Sequence, residues 1–296
     1  MNMKITDEEL INELQIRCVA NKKSMQELED ITNELKKVNI KLTESEKMKT
    51  HFISNITNEL INPFASILGL SKNILSAKKE QWDRVQNMVQ LIHSEAFHLD
   101  FQLKNIFAAA EIEGGALTPD ISIVDIVGVV HSAIDSFAHE ISKKEIHIRL
   151  NLGEIDKILK FNTDSSKFYL IVCNLLSNAI KYSSATAVID IGIFKKDDNF
   201  SLSVTDYGIG IAEDHHEIIF DRFARLDIGI NSINRGHGLG LSIVKAYLDI
   251  LKGQIEVNSS IGKGAKFVVT LKEEELSSVE GFSSDVNDVF FEEEVF

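Results

Sequence analysis

A chain of 296 residues has room for about two domains at the usual ~100–200 residues each, and 44% hydrophobic content supports a packed core. The formal net charge of -14 argues against nonspecific binding to nucleic acid or to anionic membrane surfaces. Cys18 and Cys173 show no metal-type spacing, no apolar run approaches the ~20 residues of a membrane helix, and the N-terminus lacks an apolar signal core, so a cytoplasmic protein without membrane insertion is expected.

From about Thr6 to Lys47 the chain is rich in Glu, Lys and Leu, with no proline or glycine. Leu28, Leu35 and Leu42 recur every heptad with Ile31 and Val38 between them, which predicts a parallel coiled coil. The alternative is one amphipathic helix packed on its own domain. A second helical stretch carries Phe52, Ile56, Leu60, Ile67, Leu70 and Ile74, with Pro63 inside it, where a kink is expected. After a polar turn near Ser76 to Glu80, Trp82, Val85, Val89, Ile92, Ala96, Leu99, Leu103, Ile106 and Ala110 repeat at three- and four-residue spacing. Such a hairpin has more apolar face than it can bury alone, which predicts a homodimer with a four-helix bundle.

Gly114-Gly115 and Pro119 mark a hinge, beyond which strand and helix patterns alternate. Strands are expected at Ile121 to Val124, Ile146 to Leu150, Thr186 to Phe194, Phe200 to Asp206, Gln254 to Asn258 and Lys266 to Leu271. Helices are expected at Asp125 to Ile141, Asp164 to Tyr182 and from Leu241 to Leu251. The tail from Glu273 is acidic with scattered phenylalanines, read first as disordered and second as a docking peptide.

The chemistry concentrates between Val204 and Gly240. A strand ends at Asp206, and Gly208 and Gly210 follow, leaving backbone that can lie close to a flat ligand. Asp206 can accept a hydrogen bond from an amino group. Gly236, Gly238, Leu239 and Gly240 then feed a helix whose free N–H groups and positive dipole end suit phosphate. Arg222, Arg225 and Arg235 lie in the polar segment between, where a guanidinium can fork onto a terminal phosphate, although charged loops often carry arginines for no such purpose. His215 and His216 beside Glu213 and Asp214 have the residue types of a metal site; a solvated loop face is the preferred reading. On the preceding helix Asn174, Asn178 and Lys181 share one face. Neither glycine cluster fits a P-loop, which needs Lys-Ser or Lys-Thr after the glycines, and the third Rossmann glycine is missing.

The two clusters resemble the G1 and G2 boxes of the sensor histidine kinase family. Asn174 to Tyr182 resembles the N box, Phe220-Asp221-Arg222-Phe223 the F box and Gly262-Lys263-Gly264 the last glycine box, all in the family's order. The resemblance implies an α + α/β chain. Residues 1–47 would form the coiled coil, 48–113 the dimerisation and phosphoacceptor-like hairpin, 120–272 an α/β sandwich binding ATP and Mg²⁺, and 273–296 the tail. It assigns Asn178 to Mg²⁺ with Asn174 alongside, Lys181 and Tyr182 to the nucleotide, and Asp206 to adenine. It also implies a response regulator or partner histidine kinase as partner.

Ile56 to Phe64 resembles the family's H box, with Asn58 where the phosphoacceptor histidine belongs. An amide nitrogen is not nucleophilic, because its lone pair is delocalised into the carbonyl, so self-phosphorylation at this position is expected to be absent. His51 lies one heptad earlier, about 10 Å along the axis at ~1.5 Å per residue, with Phe52 rather than an acid beside it. His93 and His98 are equally poor substitutes. Glu59 and Asn62 are retained, and the family uses these positions for proton abstraction and for orienting water against a phospho-aspartate. A turn asparagine before Pro63 is the bland alternative. Three functions follow: a nucleotide-binding regulator without autophosphorylation, an enzyme phosphorylating a partner histidine or dephosphorylating a regulator, and a scaffold with a decayed pocket.

Overall fold

The computed structural model describes residues 7–78, 81–115, 118–153, 155, 157–224 and 238–273, with backbone alone for 7–16, 19, 20, 41, 42 and 44–59. The chain divides into two compact units, residues 1–62 and 63–296.

Helix α1 runs from Asp7 to Leu75. Its long run of Glu, Lys and Leu has good helix propensity, and Pro63 lies inside it. In the first unit Met25, Leu28, Ile31, Leu35 and Val38 are exposed and form an apolar row. Among the described residues no helix is long and apolar enough to cross a membrane.

In the second unit α1 ends at Leu75, and α2 spans Trp82–Gly114, closing on Gly115 in the left-handed conformation at φ 66°. The expected seam of α2 is only half-buried at Val85, Ile92, Leu99, Leu103 and Ile106. A different face, Ser94, His98, Phe101, Asn105 and Ala108, packs against the α/β portion of the chain. Phe97 and Phe101 meet Phe137 edge-on at 5.1 and 5.7 Å. His98 Nε2 lies 2.5 Å from Glu140 Oε1, which also accepts from the Ser94 hydroxyl at 2.8 Å. Burial pushes the Glu140 carboxyl up, but His98 and Ser94 outweigh it and hold it below its ordinary value. At the other end Glu113 faces Arg222 at 3.4 Å, both exposed. An exposed pair is worth roughly 0–1 kcal/mol, against about 1.5–3 kcal/mol for a fully buried Phe such as Phe137, so the aromatic cluster contributes more to this contact.

The α/β portion contains a five-stranded sheet in the order β2-β4-β5-β7-β6, with β2 (His147–Asn151) parallel to β4 (Val188–Lys196). The remaining pairs are antiparallel, among β4, β5 (Asn199–Asp206), β7 (Ala265–Lys272) and β6 (Gln254–Ser259). Alternation puts Ile189, Ile191 and Ile193 on the inner face of β4, and a one-residue slip would turn them all outward. Helix α5 (Ser165–Tyr182) packs on β5 between α3 (Ile126–Ser136) and α6 (Gly240–Ile250), and Phe161, Phe168 and Phe200 close the core edge to face. Helices layered on one face of a mixed sheet are the expected architecture. Two details differ. The helix expected over Asp125 to Ile141 breaks at buried Phe137 into α3 and α4 (Ala138–Lys143), which turns Glu140 toward α2. A short strand the periodicity did not reveal, β3 (Lys160–Thr163), pairs antiparallel with β1 (Ser122–Asp125).

Asp164 starts α5. Its carboxylate accepts from the Lys167 amide at 2.9 Å, the Ser166 hydroxyl at 2.7 Å, the Asp120 amide at 2.9 Å and the Lys167 ammonium at 2.5 Å. Burial raises this carboxyl, and those donors more than reverse the effect, holding it below its ordinary value of 3.8. Its stabilisation is therefore complete above that value and lost as pH falls through the depressed one. Asp164→Ala is expected to cost about 3 kcal/mol at neutral pH, from the lost cap and the stranded Lys167, and much less in acid; thermal denaturation against pH measures both.

Candidate functional site

The end of β5 puts Asp206 at the floor of the site. Asp206 is 6% exposed, and its Oδ1 accepts from the Gly208 amide at 2.9 Å. Burial raises its pKa, and the backbone amides of Gly208, Ala265 and Asp206 itself offset only part of that. A buried acid in this condition gains from any further donor that a ligand brings.

The glycines after Asp206 have a reason different from the one expected. A Cβ on Gly208 would stand 2.2 Å from the Tyr182 carbonyl oxygen, and one on Gly210, at φ 70°, 2.0 Å from that of Ser260. The protein's own backbone, not a ligand, fills this space, tying the loop to the end of α5 and to the β6–β7 turn. The turn is fastened further by Gly262 N–H to Ile209 O at 2.7 Å and by Ile211 N–H to Ser259 Oγ at 2.8 Å.

On α5, Asn174 is buried while Asn178, Lys181 and Tyr182 are half-buried, and the Lys181 ammonium lies 4.9 Å from the centre of the Tyr182 ring. The last carbonyls of this helix are held by Lys144, which sequence reasoning missed. Its Nζ donates to the carbonyls of Ile180, Lys181 and Ser183 at 2.6, 3.1 and 3.2 Å. Partial burial lowers its pKa.

Helix α6 opens at Gly240 after Leu239, whose side chain supplies no cap. Its first N–H groups and the positive helix end suit an anion. A Cβ on Gly240 would sit 2.6 Å from Asn174 Oδ1, so α5 and α6 touch where two of the motifs meet. Gly238 accepts from the Phe223 amide at 3.0 Å, joining the F-box segment to this cluster.

Of the other expected residues, Arg222 faces Glu113 rather than lying free for a phosphate. Asn62 is exposed on α1. The side chains of Asn58 and Glu59, and all of Arg225, Arg235 and Gly236, lie outside the described residues. Glu213 to His215 form a 3-10 turn, and among the described residues no group of three or more His, Cys, Asp or Glu could hold a metal.

Residues 163–275 match the family of histidine kinase-, DNA gyrase B- and HSP90-like ATPases. The chain is 26% identical over 229 residues to the circadian input-output histidine kinase CikA of Synechococcus elongatus, covering 77% of this chain and 30% of that protein. It is 28% identical over 228 residues to the sensor-like histidine kinase SenX3 of Mycolicibacterium smegmatis, covering 77% of this chain and 58% of SenX3. The chain therefore spans less than two thirds of the length of each of these relatives. Full-length ShkA, solved in complex with AMPPNP, superposes with a TM-score of 0.52 at 22% identity, covering 78% of this chain and 47% of that one, a likeness of fold. The histidine kinase-type ATPase domain over residues 163–275, together with similarity to histidine kinases over about three quarters of the chain, supports a member of the sensor histidine kinase family.

Proposed function

We propose that this chain binds Mg-ATP between Asp206 and the first turn of α6, does not phosphorylate itself, and regulates a partner histidine kinase or a response regulator. The observation that carries this reading is Asn58, an amide at the position of the family's acceptor imidazole, in a chain whose nucleotide motifs are complete. The residues present fit the nucleotide. Asp206 accepts from the adenine amino group while its other oxygen stays on the Gly208 amide. The first amides of α6 hold phosphate oxygens. Asn178 offers a hard amide oxygen to Mg²⁺, which keeps several waters and takes few protein ligands. Lys181 and Tyr182 border the nucleotide. Mg²⁺, when bound, neutralises phosphate charge.

In this reading the exposed apolar row on α1 within residues 1–47 is a coiled-coil seam. The hairpin of 48–113 makes the homodimer, 120–272 is the ATP-binding domain, and 273–296 is a tail. Calorimetric titration of the purified chain with Mg-ATP is expected to give stoichiometric, saturable binding; absence of heat with any adenine nucleotide would sink the proposal.

A second reading rests on Glu59 and Asn62, three residues apart and so on one face of α1. They can position water for hydrolysis of a regulator's phospho-aspartate. Phosphoryl transfer in trans, to a histidine on a partner, needs only positioning and charge stabilisation from this chain. Following label on phosphorylated regulators and on partner histidines separates these activities from pure regulation.

A further inference from the structure

Asn105 lies in the middle of α2, on the face that meets the α/β portion, and is 7% exposed. Its Nδ2 donates to the Phe101 carbonyl at 2.9 Å, an ordinary bond within the helix. Its Oδ1 accepts from Asn174 Nδ2 at 2.8 Å. The second hydrogen of Asn174 Nδ2 goes to the Leu170 carbonyl at 2.9 Å. An amide nitrogen has two hydrogens, and both are committed, so the Asn174 side chain has one favourable orientation. That orientation points Oδ1 at Gly240, where a Cβ would come within 2.6 Å. The chain of contact therefore runs from α2 through α5 to the first residue of α6, whose amides face the phosphates in the proposed function.

We propose that Asn105 is a positioning residue for the phosphate end of the nucleotide site, acting through Asn174 on the first turn of α6. The inference rests on the proposed Mg-ATP reading. Without Asn105, one buried Asn174 hydrogen loses its acceptor and the amide is free to turn, changing what Gly240 packs against. The adenine end, built on Asp206 and the β6–β7 turn, has no part in this relay. Affinity for phosphate should thus depend on whether α2 is seated, while affinity for the base should not.

The test uses the full chain as wild type, Asn105→Leu and Asn105→Asp, titrated with Mg-ATP by calorimetry and with adenosine by ligand-observed NMR. Asn105→Leu is expected to weaken Mg-ATP about tenfold, in the range of a lost supporting contact, and to leave adenosine unchanged. Asn105→Asp keeps an acceptor oxygen toward Asn174 and is expected to recover most of the loss. Equal weakening of both ligands, or no weakening of either, would overturn the inference while leaving the Mg-ATP reading intact. Failure of Asn105→Asp to recover would overturn it as well, because the acceptor would not be what matters. A wild-type chain that binds neither ligand defeats both proposals at once.

Discussion

Asp206→Asn is expected to lower affinity for Mg-ATP by about a hundredfold, the equivalent of losing a charged hydrogen bond and burying a mispaired donor. The reason lies in the Gly208 amide, which already points at Oδ1 from 2.9 Å. An asparagine must keep its carbonyl oxygen there, so its NH₂ faces the ligand's own amino group, donor against donor. The same substitution should not weaken the fold. Burial raises the Asp206 pKa, so the native state binds its proton more tightly than the unfolded chain does. Such an acid costs stability as pH rises through the folded-state value, and a neutral amide removes that cost. Thermal denaturation at neutral pH should therefore show a melting temperature equal to or above that of the parent. Lost binding with retained stability is the signature of an acid kept for a ligand. Lost binding with a collapsed melting temperature would instead mark a structural residue.

Asn58→His is expected to turn background incorporation of label from γ-labelled ATP into acid-labile, alkali-stable phosphate on a substantial fraction of chains. The substitution supplies an imidazole nitrogen with an available lone pair, beside Glu59, which can take its proton. Adding Glu59→Gln to that variant should slow labelling by about a hundredfold or more, the usual worth of a positioned base. If Asn58→His binds Mg-ATP and still takes no label, the ATP-binding domain carries a second lesion.

Much of this was legible from local pattern. Helix α5 was readable because Asp164 caps it and its apolar residues run to Tyr182; β4 and β5 were readable because they alternate. The paired glycine clusters single out Asp206 and the start of α6 as the two ends of the candidate site. Long-range contacts were not legible. Strand β3 is only Lys-Phe-Asn-Thr, too short for a period, and it exists through pairing with β1. The break at Phe137 follows from aromatic packing on α2, which no local propensity records. The close approach at Gly208 and Gly210 is not legible in the sequence, because Tyr182 and Ser260 are distant from them along the chain. Lys144 belongs to no motif in the sequence, and only the folded chain brings it to the end of α5. Asn105 did leave a trace: a polar side chain at helical spacing between Phe101 and Ala108, where a solvated face would not place such neighbours.

The most direct measurement is incubation of the unaltered chain, shown by calorimetry to be loaded with Mg-ATP, with γ-labelled nucleotide, followed by a count of protein-bound phosphate after alkaline denaturation. The account predicts bound nucleotide and no alkali-stable label on the chain itself. Robust alkali-stable label would show that some histidine does receive the phosphoryl group, and would contradict the account.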